Sequence, residues 1–144
     1  MKTDNPTVPL NTLIALYTVT AQNARFCHWN VVWPHFEDDH EFFGELYDEL
    51  SEAIDVFAER IRAIRQYPIS RLSDILTQSQ LEEYVLPMTA RNMQKNMLKD
   101  YEYISEEMEK FAENSTDLVT QDIIVGEKQQ IDKRAWMMRS MLGE

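Results

Sequence analysis

The stretch Phe36–Ile64, FEDDHEFFGELYDELSEAIDVFAERIRAI, decides the fold. Phe43, Tyr47, Leu50, Ile54, Phe57, Ile61 and Ile64 recur in it at alternating steps of four and three. Those steps return side chains to one face of an α-helix, whereas a strand, with its period of two, would scatter them. The spacing predicts one long amphipathic helix from about Phe36 to about Ile64.

Three more helices follow from the same rule on either side. Upstream, Leu10, Leu13, Tyr17, Ala21, Ala24, Cys27 and Val31 share a face, with Pro9 suited to a first turn. Pro34 closes that pattern, because the residue before a proline avoids the helical region. Downstream, Tyr67–Pro87 holds two prolines and a short apolar patch, Leu72, Ile75 and Leu76. It reads as a long crossover carrying a small helix. Thr89 then caps a third long helix with Met93, Met97, Tyr101, Ile104, Met108 and Phe111 inward. Asn114-Ser115-Thr116 ends it, and a fourth begins at about Asp117, with Ile124, Ile131, Ala135, Met138 and Leu142 on one side. Two short connections flanking one long one describe an all-α four-helix bundle with a crossover between its second and third helices.

The 144 residues suit a single domain, 1–144, large enough for a substantial core. Hydrophobic residues at 44% and charged residues at 27% fit a globular chain and argue against disorder. No apolar run reaches the ~20 residues of a membrane span. The opening MKTDNPTVPL lacks the basic and apolar parts of a secretion signal, and Cys27 has no partner for an intrachain disulfide, so a cytoplasmic setting is expected. Net charge is −11, from 14 Lys and Arg against 25 Asp and Glu. Such a chain attracts cations and repels nucleic-acid phosphates, and its first ten residues hold no basic arm, so DNA binding is not expected.

His28, His35 and His40 are the three histidines, and they fall around the first turn between helices. Asp55 and Glu59, at i and i+4, project from one face of the second helix. Imidazole with carboxylate suits iron or zinc, where carboxylate alone suits calcium or magnesium. Yet His40 and Asp55 are fifteen residues apart on one helix, about 22 Å along its axis. One ion can use both only if two subunits pack antiparallel through this helix, so an intersubunit site is the reading that employs all four residues.

These residues also carry a resemblance. His28-Trp29-Asn30-Val31, His40 twelve residues after the first His, Phe43, Tyr47 and the run Asp55-Val56-Phe57-Ala58-Glu59-Arg60 resemble the signature of the Dps family of ferritin-like miniferritins. The likeness continues through Asp117–Ile124 and Asp132–Met138. It implies a hollow dodecamer that oxidises Fe(II), preferably with hydrogen peroxide, and stores ferric mineral. It implies ferroxidase sites at twofold interfaces, with His28 and His40 from one subunit and Asp55 and Glu59 from its neighbour. Trp29 would lie near the iron, Zn(II) could substitute for it, and Asp117 and Asp122 would line pores for iron.

One position departs from the pattern. The family carries an acidic residue four after the second His, where this chain has Gly44. Glu45 is a poor substitute, since one helical step rotates it by about 100°. A weakened second iron position is the expectation, and a metal-binding or structural shell with slow catalysis is the alternative. The turn Val31-Val32-Trp33-Pro34 also lacks the family's usual glycine, and His35 reads as an ordinary polar residue. Plainer readings exist for the rest: Asp55 and Glu59 paired with Arg60 and Arg62, Trp29 and Trp136 as core or interface aromatics, and Asp117 and Asp122 as helix-start acids.

Overall fold

The computed structural model describes residues 5–144; the first four, part of the segment read above as lacking a basic arm, lie outside it. Five helices follow in order: α1 Thr7–Asn30, α2 Phe36–Ala63, α3 Leu72–Ser79, α4 Ala90–Glu113 and α5 Leu118–Met141. No strand occurs among the described residues. The long helices pack as two hairpins, α1 against α2 and α4 against α5, and α3 rides on α1 along the crossover. This is the four-helix bundle with an extra short helix that the periodicity predicts.

Local chemistry sets the boundaries. Thr89 caps α4, its hydroxyl accepting from the Asn92 N–H at 3.1 Å. Asp117 caps α5 in the same way through the Thr120 N–H at 3.3 Å. Each satisfies a donor that the first turn of a helix leaves open. α1 starts three residues earlier than Leu10, with Pro9 still in its first turn, and ends at Asn30, leaving the buried Val31 as its C-cap.

The core runs down the middle. Leu13, Tyr17 and Cys27 of α1 meet Phe43, Leu50, Phe57 and Ile61 of α2, Met97, Tyr101 and Met108 of α4, and Ile124, Ile131 and Met138 of α5. The apolar stripe of α2 is centred slightly off the predicted line. Leu46 and Ala53 are buried, while Tyr47 and Ile54 flank the core half-exposed, because a face of this width admits neighbours on both sides of a four-and-three repeat. Trp136, at 57% exposed, is not a core residue, which removes one of the readings given above. Of the apolar patch on the short helix only Ile75 is buried; Leu72 and Leu76 face outward.

Candidate metal site

The α1–α2 turn brings the ends of two helices together, and with them His28 and His40. Their rings stack at 3.9 Å between centroids and 12° between planes. The Nδ1 of His28 lies 2.5 Å from the carbonyl oxygen of His40, and the Nδ1 of His40 lies 2.6 Å from the carbonyl oxygen of His28. A carbonyl only accepts, so each Nδ1 carries the proton and donates it. Both Nε2 atoms are left as lone-pair donors, and neither has a hydrogen-bond partner among the described residues. An imidazole whose far nitrogen is tied to a carbonyl is the usual condition of a metal-binding histidine.

The two accepting carbonyls differ in origin. That of His28 belongs to the last turn of α1, where helical carbonyls lack internal partners. That of His40 lies inside α2 and is reached over Gly44. A Cβ built on Gly44 would stand 2.9 Å from Cε1 and 3.0 Å from Nδ1 of His28. Phe36 stacks on the outer side of His40 at 5.2 Å. Beside the pair, Asp39 is 2% exposed and accepts from Gln94 Nε2 at 2.9 Å, with its Oδ2 unpartnered; burial pushes its carboxyl upward. His35 is exposed.

Asp55 and Glu59 sit farther down α2, exposed, without a hydrogen-bond or ion-pair partner among the described residues. The arginines that could have neutralised them are engaged elsewhere. Arg60 donates to Asp117 at 2.8 Å and to the Thr120 hydroxyl at 3.3 Å. Arg62 donates to the Gln66 carbonyl and lies over the Tyr67 ring at 4.2 Å. Within one chain no three His, Cys, Asp or Glu side chains converge among the described residues, so the two histidines and the two carboxylates stand as separate pairs. Glu45 turns away from the histidines onto Arg134, 3.1 Å from Nη1, and does not replace the missing carboxylate at Gly44.

Trp29 is 62% exposed next to His28, with the Arg25 guanidinium over its ring at 5.5 Å. Asp117 is held by its cap and by Arg60, and the Thr120 and Arg60 hydrogen bonds lower its carboxyl below the ordinary range. Asp122 is exposed one turn later. A cavity of about 520 Å³ lies between the crossover and α4 and is lined by none of these residues. Sequence reasoning missed what Gly44 does for His28: the two are sixteen positions apart, and no local signal links a helical glycine to a ring on another helix.

The ferritin-like domain model matches residues 9–144. The DNA protection during starvation protein 2 of Bacillus anthracis is 36% identical over 138 residues, with 94% of each chain covered. The crystal structure of Dps from Staphylococcus aureus superposes with a TM-score of 0.92 at 34% identity, covering 95% of this chain and 94% of that one. That of Dps from Vibrio cholerae O1, described as a member of a broad superfamily of ferritin-like diiron-carboxylate proteins, gives 0.90 at 26% identity, covering 95% and 88%. No helix among the described residues is long and apolar enough to cross a membrane. Bundle topology, paired histidines and these likenesses agree, and the chain belongs to the Dps family of ferritin-like proteins.

Proposed function

We propose that the chain forms a cytoplasmic dodecameric shell that takes up Fe(II), oxidises it with hydrogen peroxide and holds the ferric product inside. Iron is the substrate here. The observation that carries this reading is the division of donors on one chain. His28 and His40 present unclaimed Nε2 atoms at one end of α2, and Asp55 and Glu59 stay unpaired farther along it. A twofold pairing of α2 helices joins His28 and His40 to Asp55 and Glu59 of the partner subunit, and it does so twice per interface. All three tryptophans are more than half exposed on the single chain, at 62% for Trp29, 82% for Trp33 and 57% for Trp136. Exposed aromatics in that number favour burial against further copies.

The chemistry balances simply. Two ferrous ions give one electron each, and peroxide takes both together with two protons, leaving two ferric ions and two waters. Taking the electrons as a pair avoids a free hydroxyl radical. Nitrogen and carboxylate donors together suit ferrous iron, and they also suit Zn(II). Asp117 and Asp122 would draw cations toward the shell at the start of α5.

Gly44 supports a second reading, a shell that binds metal with slow oxidation, because the carboxylate expected there is absent and Glu45 is bound to Arg134. Mixing metal-free protein with Fe(II) anaerobically and adding peroxide separates the two. Fast growth of ferric absorbance in a soluble product, lost in His28→Ala/Asp55→Ala, is the expected result. A rate no faster than the double mutant's moves the function to passive binding. DNA compaction forms no part of this proposal, since the net charge is −11. No gel shift is expected at low micromolar protein, neutral pH and physiological salt; a shifted band overturns that.

A further inference from the structure

We propose that Gly44 is a positioning residue, whose missing side chain opens the His40 carbonyl and seats the His28 ring as a fixed Nδ1–H tautomer. The inference deepens the metal-site reading above and rests on it for its purpose, though not for its geometry. A helical side chain leans toward the N-terminus and covers the turn before its own Cα. At position 44 it would cover the carbonyl of residue 40. With glycine there, that carbonyl is open from the side, and His28 Nδ1 reaches it at 2.5 Å while His40 Nδ1 reaches back to His28 at 2.6 Å. The fit leaves no slack, for even a methyl group on Gly44 would stand 2.9 Å from His28 Cε1.

Gly44 is therefore more than a lost ligand. It gives up an anionic oxygen donor and leaves two imidazoles locked with Nε2 outward. A donor set shifted from carboxylate to nitrogen favours borderline divalent cations such as Co(II) and Zn(II) over hard ones such as Mg(II). Gly126, in α5, supplies a matched control: it too is helical, and an added Cβ there meets nothing within 4 Å. Alanine improves helix propensity at both positions, so a loss confined to Gly44→Ala cannot come from the backbone.

Histidine-selective 15N labelling of the metal-free shell gives a readable spectrum, with only three histidines. In solid-state spectra the wild type and Gly126→Ala should show His28 and His40 as Nδ1–H tautomers. Gly44→Ala should convert His28 to a mixture with Nε2–H. Co(II) titration followed by visible absorption should show affinity falling about 10- to 100-fold in Gly44→Ala alone, the usual cost of losing an outer hydrogen bond to a ligand. An unchanged 15N pattern in Gly44→Ala, or Co(II) affinity within about twofold of wild type, overturns the proposal. Slow iron oxidation by a wild type that still shows both signatures counts against the ferroxidase reading and supports this one.

Discussion

Helix α2 has two faces that treat charge in opposite ways. Toward α5, Glu45 and Glu49 both close on Arg134, at 3.1 Å and, through Nε, 3.0 Å, and Arg60 closes on Asp117 at 2.8 Å. Arg134 itself is buried, and its guanidinium lies over the Phe42 ring at 5.2 Å. Each of these five charges on the seam has a partner, as burial requires. On the other face the donors are left open: the Nε2 of His40, with that of His28 stacked on it from α1, near the N-terminal end, and Asp55 and Glu59 farther along. The seam ties α2 to α5 at the edge of the core. The open face contributes little to the fold of one chain and carries the donors of the proposed metal site.

Variants on the two faces should therefore fail differently. The largest effect is expected on the open face. Asp55→Ala/Glu59→Ala should slow peroxide-driven iron oxidation at least about a hundredfold, beyond the loss of an outer partner. Its unfolding free energy by chemical denaturation should stay within about 0.5 kcal/mol of wild type, as for exposed substitutions generally. Arg134→Leu should do the reverse. Losing the cation between Glu45 and Glu49 should cost about 2–3 kcal/mol by chemical denaturation, below the usual cost of breaking a buried pair because Glu49 keeps some solvent. Oxidation per folded shell should hardly change. If Arg134→Leu abolished oxidation in folded shells, the division of α2 into two faces would be wrong.

A smaller effect falls on the α5 cap. Asp117→Ala should cost about 1 kcal/mol, the typical value of an N-cap. The Asp117 carboxyl titrates below its ordinary 3.8 in the folded chain, through Thr120 and Arg60. Its contribution is thus complete above that value and lost as pH falls through the lower folded one. The stability gap between wild type and Asp117→Ala should close on acidification below about 3.8, and a gap unchanged at pH 2 would refute the cap and ion pair as its cause. Smallest of all, Gly44→Asp should oxidise iron a few-fold faster than Gly44→Ala, on the order of one weak donor's contribution. Both displace the His28 ring, but only the first returns a carboxylate. Equal rates would mean that position 44 acts through space alone.

The bundle was legible in the sequence because helix packing repeats locally. Four-and-three spacing placed α2, Thr89 announced the cap it forms, and Asp117 marked the start of α5 without announcing its cap. Tyr47 and Ile54 shifted to the flank because periodicity fixes a face and leaves its centre open by one residue. Features resting on distant pairs were not legible. Asp39 follows two other acids, as a solvated residue would, and is buried only because Gln94, fifty-five positions on, meets it. Arg134 gave no sign of reaching Glu45 and Glu49. The histidine pair was visible as a motif, but its reciprocal clasp over Gly44 depends on how two helix ends cross.

The central claim is that two chains complete one site, and mixed shells test it most directly. His28→Ala/His40→Ala chains and Asp55→Ala/Glu59→Ala chains are each expected to be inactive. Co-expressed in equal amounts, they should recover roughly a quarter of wild-type peroxide-dependent iron oxidation, since each site draws its histidines and its carboxylates from different subunits. Mixed shells no more active than either parent would contradict the account.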